Sequence, residues 1–326
     1  MNDVEKNERV KTANFLVSNQ ESAFSEADYI ICTYPAFLKK KMIERYGSYI
    51  KRGTKLGFVP GYGGAEYACK HLVDRGVIVF GLQRVPYVAR ATGNEAGILS
   101  KKKKLFLSAI PSKYTDEVVN NIESFFDIPT IKLNEYLAIT LAPSNPLLHI
   151  SGLYGAFHNY NPTTGYDGSP YFYEQWNDDT SRLLFEYDKE LQSICDALKP
   201  LNMSEVVPLP IYYESSTPEK MTEKLKSIES FKVVKVPLKG REPDLSSRMF
   251  IEDYPYGVCV LKDIALIAGV QTPVIDLLLD FYYRLSGHKY FNDDWTYTEE
   301  ISTTGVPGIY GIKTKDDLID FYHGGK

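Results

Sequence analysis

Residues 248 to 257 read Arg-Met-Phe-Ile-Glu-Asp-Tyr-Pro-Tyr-Gly, which sets one guanidinium and two adjacent carboxylates, Glu252 and Asp253, ahead of an amphipathic run from Val258 to Gly269. Pro255 disfavours helical geometry at Tyr254, so the acids are expected at a bend where a helix begins. That place suits a binding site. It suits equally well acids drawn there only by the free amides and the macrodipole of a helix N-terminus. A second stretch, Asn145-Pro146-Leu147-Leu148-His149-Ile150-Ser151-Gly152, carries one histidine between apolar residues after a proline-containing turn. An aspartate orienting that imidazole, with an arginine gripping a carboxylate nearby, would complete a proton-transfer site. Taken alone, His149 is equally well read as a buried histidine with a backbone partner. His71, His158, His288 and His323 have no acidic or nucleophilic neighbours in a motif and read as structural. No two histidines or cysteines share a ligand-like spacing, so no metal is expected. Ser151 lacks the Gly-x-Ser-x-Gly elbow of a serine hydrolase.

The elements that must position these groups can be read in order. Ala13 to Val17 is β-prone and Glu21 to Ala27 a helical turn. Asp28 to Thr33, Thr54 to Val59 and Gly76 to Gly81 are apolar runs of strand length, the first suited to burial on both faces. Leu38 to Tyr49 and Ala65 to Arg75 between them have helical spacing, so the order predicts a parallel α/β sheet. Lys101 to Lys104 lie between two apolar patches and read as a solvated hairpin tip or strand edge, after which Thr115 to Phe126 is helical and Thr130 to Leu133 a short strand. Beyond about residue 145 helical patterns dominate, including Thr180 to Leu198, Thr217 to Ser227, Val258 to Ala268 and Thr272 to Leu285. These patterns place a boundary near Ala142-Pro143, with an α/β domain over 1–143 and a helical domain over 144–326.

The chain has 326 residues, enough for two domains, and a net charge of −5, which argues against a nucleic-acid surface. Its 25 tyrosines combine apolar rings with polar tips, as clefts and half-wet interfaces require. Cys32, Cys69, Cys195 and Cys259 are widely spaced and read as reduced, mostly buried thiols. No apolar run reaches transmembrane length, and the charged N-terminus does not read as a signal peptide, so a soluble, cytoplasmic protein is expected.

Open parallel sheets bind ligands at the carboxyl ends of their strands. The turns after the first two strands, Thr33-Tyr34-Pro35-Ala36 and Pro60-Gly61-Tyr62-Gly63-Gly64, are therefore candidate cofactor contacts. Gly61, Gly63 and Gly64 permit close approach to a ligand, yet a plain structural turn explains them too. Reading them as a dinucleotide fingerprint would make Arg84 the acceptor of a 2′-phosphate, but Glu66 stands where a third glycine is needed.

Several spaced motifs, in this order, resemble the opine dehydrogenases of the octopine and nopaline type. They are Ala27 to Ile31 with Pro35-Ala36-Phe37, Gln83 to Arg90, Asn145 to His149, Tyr171 to Glu174, Arg248 with Glu252 to Gly257, and Ala268 to Asp276. The resemblance implies a dinucleotide-binding domain of Rossmann type followed by a helical domain like the C-terminal part of 6-phosphogluconate dehydrogenase. It implies reductive condensation of an amino acid with an α-keto acid, with hydride from NADH or NADPH. His149 would be the acid/base, Asp253 the group that holds and charges the imidazole, and Arg248 a substrate residue that clamps a carboxylate. Pro35, Gly61, Gly63 and Gly64 would line the cofactor cleft. One departure stands out: no strand followed by Gly-x-Gly-x-x-Gly opens the chain, so the Rossmann-type domain is expected to be incomplete, by roughly two strands with their helices. An uncovered sheet edge would then favour self-association. The same departure supports an alternative, a degenerate relative that binds small molecules without catalysis. A ketopantoate-reductase-like or other β-hydroxyacid-type dehydrogenase is a further alternative, although no lysine stands where His149 and Arg248 do.

Overall fold

The computed structural model describes residues 21–92 and 95–324. The expected β-prone piece from Ala13 to Val17 lies outside them. The chain forms two compact units, the first running to Thr140 and regaining the chain from Ile319, the second running from Leu141 to Leu318. The return of the C-terminal residues to the first unit has no counterpart in the division at 143/144 read from the sequence.

In chain order the helices are α1 (Ser22–Glu26), α2 (Ala36–Tyr46), α3 (Ala65–Ala68), α4 (Lys70–Asp74), α5 (Thr115–Phe126), α6 (Leu137–Leu141), α7 (Ser144–Phe157), α8 (Asp178–Ala197), α9 (Leu209–Tyr212), α10 (Pro218–Ser227), α11 (Arg248–Ile251), α12 (Cys259–Ala268), α13 (Pro273–Ser286) and α14 (Lys315–His323). The strands of the first unit are β1 (Tyr29–Cys32), β2 (Lys55–Phe58), β3 (Ile78–Leu82), β4 (Tyr87–Thr92), β5 (Glu95–Lys101), β6 (Leu105–Ile110) and β7 (Thr130–Lys132).

The main sheet has the order β1-β2-β3-β6-β7. β1, β2 and β3 are parallel, as their apolar runs with intervening helices require. β6 runs antiparallel to β3, and β7 is parallel to β6, so the sheet is mixed rather than wholly parallel. The reversal follows from the hairpin β4–β5, which turns the chain round before it rejoins the sheet. Lys101 to Lys104 are therefore not a hairpin tip between β5 and β6. They are the exposed end of β5 and the link to β6, at a strand edge. The core lies under β3 and β6, where Phe80, Leu82, Leu105, Leu107 and Ala109 pack with Val118 and Ile122 of α5. β1 is an edge strand with Ile31 exposed, not the doubly buried strand its composition suggested.

In the second unit α7 and α10 both pack on α8. Asn177 caps α8 by accepting from the Thr180 amide, and Thr217 caps α10 just ahead of Pro218. Part of the tyrosine surplus is core: Tyr254 and Tyr282 stack at 3.9 Å between ring centroids, and Phe250 stacks on both. All four cysteines are free and buried, and no helix among the described residues is long and apolar enough to cross a membrane.

Candidate active site

Pro143, held extended, stops the preceding helix, and α7 starts at Ser144. Pro146 sits in its first turn, where a missing N–H costs nothing. Leu147, Leu148 and Ile150 are buried, which anchors the backbone on either side of His149 and leaves its imidazole partly exposed.

α11 ends at Ile251, and α12 starts only at Cys259. Between them residues Tyr254–Val258 form a π turn, with the Val258 amide donating to the Asp253 carbonyl at 2.9 Å. Pro255 has no N–H to continue the regular ladder, so the turn widens at that point. The expected bend is thus a π turn joining two helices, with Glu252 and Asp253 at its entrance. Gly257 lies in the same turn, where an added Cβ would come within 2.7 Å of Pro146 Cβ. Without a side chain there, the π turn seats directly on the first turn of α7, and Asp253 reaches His149.

His149 Nδ1 and Asp253 Oδ2 are 2.7 Å apart, with 19% of the histidine side chain and 6% of the aspartate side chain exposed. Burial pushes the Asp253 carboxyl above its ordinary range, while the adjacent imidazole pulls in the opposite direction. An ionised Asp253 accepts from Nδ1–H, which leaves Nε2 as the nitrogen facing away from the carboxylate. Phe172 packs edge-on against the imidazole at 6.1 Å between ring centroids. Arg248 does not pair with Asp253. Its Nε and Nη2 both donate to Glu252 Oε2, at 2.8 and 2.5 Å.

In the first unit Pro35 stands between β1 and α2, and the turn containing Gly61, Gly63 and Gly64 follows β2. The two turns thus lie at the carboxyl ends of adjacent parallel strands. Gly63 and Gly64 adopt φ of +97° and +72°, which glycine tolerates without strain. Gly61 answers to packing, because a Cβ would come within 2.9 Å of Gly81 Cα. Buried Lys39 fixes the turn from inside, donating to the Pro60 and Tyr62 carbonyls at 2.7 and 2.8 Å. These residues fit a ligand that lies against turn backbone at strand ends. No Gly-x-Gly-x-x-Gly seat for a pyrophosphate occurs among the described residues.

Sequence reading missed three features here. The Arg248–Glu252 pair has the i,i+4 spacing of a helical ion pair, a signal that was available. The contact of Phe172 with His149 had no local signal. Glu66, noted only for not being glycine, is fully buried, accepts a hydrogen bond from Thr140 Oγ1, and is pushed up to about 7 by burial. Of the histidines read as structural, His323 meets Glu135 at 3.0 Å and His288 meets Glu300 at 3.2 Å. No cluster among the described residues has the make-up of a metal site.

The family described as NAD/NADP octopine/nopaline dehydrogenase, alpha-helical domain, matches residues 132–285. Tauropine dehydrogenase of Arabella iricolor is 24% identical over 95% of this chain and 84% of its own length. Octopine dehydrogenase of Pecten maximus is 23% identical over 93% of this chain and 81% of its own. A solved octopine dehydrogenase in complex with NADH and agmatine superposes with a TM-score of 0.82, at 23% identity, over 94% of this chain and 80% of that one. That likeness is one of fold.

Proposed function

We propose, from the match of residues 132–285 to the octopine/nopaline dehydrogenase helical domain, that this chain catalyses the reductive condensation of an amino acid with an α-keto acid to give an opine. The observation that carries the reading is the 2.7 Å contact between His149 and buried Asp253, which fixes one ring nitrogen on the carboxylate and leaves the other facing away from it. Arg248 holds the carboxylate of the keto acid, so that the neighbouring carbonyl lies within reach of Nε2. As the amine nitrogen bonds to the carbonyl carbon, protonated His149 delivers its Nε2 proton to the carbonyl oxygen. The nitrogen, now cationic, returns one proton to His149 Nε2, and the imidazolium passes it to the new hydroxyl, which leaves as water while the nitrogen lone pair forms the C=N bond. Asp253 stabilises the charged ring before each transfer and keeps its orientation through it. The turns at Pro35 and at Gly61, Gly63 and Gly64 would hold a reduced nicotinamide dinucleotide, NADH or NADPH, which would supply the hydride that reduces the C=N bond.

The test uses the purified chain with NADH or NADPH, an α-keto acid and a panel of amino acids. The reading predicts loss of nicotinamide absorbance only when all three reactants are present, with a secondary amine as the product identified by mass. His149→Ala should slow that rate at least about a hundredfold, the usual contribution of a positioned acid/base. A β-hydroxyacid-type dehydrogenase would instead oxidise the cofactor with the keto acid alone. Buried Lys262 does not favour that alternative, because its ammonium is engaged by Asp276, by Thr272 and by the face of Trp295. A non-catalytic relative would bind ligands and leave the absorbance unchanged.

A further inference from the structure

Glu252 and Asp253 are adjacent in sequence, and both are buried. Their carboxylates serve different partners: Asp253 meets His149, whereas Glu252 takes Arg248. Successive residues in a helical backbone point about 100° apart, so one short segment can deliver the two acids to separate tasks. The pair made by Glu252 is asymmetric. Its own side chain is 4% exposed and that of Arg248 is 67% exposed. An ion pair between two exposed, mobile side chains contributes little. Here one member is buried, and two N–H groups of the other converge on a single one of its oxygens. That geometry fixes the plane of the guanidinium and occupies its Nε–Nη2 edge. A planar carboxylate can then be met in fork fashion across the Nη1–Nη2 edge. The same contact keeps the guanidinium off Asp253, where it would compete with the imidazole for the carboxylate.

We propose that Glu252 is a positioning residue for substrate: it fixes the Arg248 guanidinium so that its outer edge receives the keto-acid carboxylate, and it reserves Asp253 for His149. The proposal rests on the reading of Arg248 as a carboxylate clamp. Loss of a charge-assisted contact that aligns a clamp weakens binding of the clamped group and leaves the bond-making step largely intact.

Steady-state kinetics of Glu252→Gln and Glu252→Asp test it. Glu252→Gln should raise KM for the keto acid roughly tenfold or more, with KM for the amino acid and kcat changed less than about threefold. Glu252→Asp, which keeps the charge, should recover a large part of the lost keto-acid affinity. A fall in kcat with an unchanged keto-acid KM, or no change in either constant, overturns the proposal. So does a failure of Glu252→Asp to recover keto-acid affinity above that of Glu252→Gln. Ligand-observed NMR of pyruvate binding to the wild type, Arg248→Ala and Glu252→Gln separates this from failure of the opine reading itself. If the wild type makes no opine yet binds pyruvate, and both substitutions weaken that binding, Glu252 keeps its role. If pyruvate does not bind, or binds Glu252→Gln as it binds the wild type, the role is gone.

Discussion

Asp253 shows what its neighbours ask of it. Burial favours the protonated carboxyl and the imidazole favours the ionised one, with burial the larger effect. An acid whose folded pKa is raised contributes stability that is full below its unfolded pKa and lost as pH rises through the folded value. On the proposed role, Asp253 therefore costs stability at the pH where it would have to be charged, the compromise expected of a proton-transfer site. Asp253→Asn should leave the fold intact, raise thermal stability at neutral pH slightly or leave it unchanged, and lower kcat by about a hundredfold or more, because an amide neither charges the ring nor fixes its tautomer. Thermal melts and initial rates on one preparation check both halves. At this scale the sequence was informative through its motifs. His149, Asp253 and Arg248 were singled out from residue types in order. Residue types alone did not say which acid each base would take, because Glu252 and Asp253 are neighbours and the π turn decides which way each one faces; the resemblance named Asp253 for His149 but gave no sign of the Arg248–Glu252 pair.

That turn belongs to the scale of elements. Pro255 marked a break in the sequence, but a break is compatible with a bend, a cap or a π turn, and the choice depends on what packs against it. Here the packing partner is Pro146 across from Gly257. Gly257→Ala should push the turn from α7, cost on the order of 1–3 kcal/mol by overpacking, and lower activity more than melting temperature because the His149–Asp253 contact opens. Circular dichroism melts beside rate measurements separate the two effects. A second expectation concerns the turn after β2 and the short helix α3. The Glu66 carboxyl, at about 7 in the folded chain against an ordinary 4.5, contributes stability that is fully present below about pH 4.5 and lost as pH rises through 7. Glu66→Gln should remove that slope and stabilise the protein near pH 8 by up to about 3 kcal/mol. Melts across pH 5 to 8 in wild type and variant give the answer, and parallel slopes would reject the assignment.

For the whole molecule, composition and periodicity conveyed an α/β part followed by a helical part. They did not convey that β6 runs against β3, since the hairpin β4–β5 reverses the chain by pairing that sequence spacing alone does not reveal. Nor did they reveal that the chain returns to the first unit near its end. There the Tyr322 hydroxyl donates to that of Tyr67 at 2.7 Å, and its ring stacks on Tyr136. Tyr322→Ala should cost about 3–5 kcal/mol, as for a large buried aromatic, and should lower the melting transition of a chain whose His149–Asp253 pair it never touches.

The central claim is that one imidazole, charged and oriented by one buried aspartate, moves the protons of an amine–carbonyl condensation. The most direct test is the rate of nicotinamide oxidation by keto acid plus amino acid, measured in wild type, His149→Ala, Asp253→Asn and the double variant. The account predicts that each single change costs about a hundredfold or more and that the double costs little beyond the worse single, because the two residues act as a unit. Independent, multiplicative losses, or a His149→Ala enzyme as fast as the wild type, would contradict it.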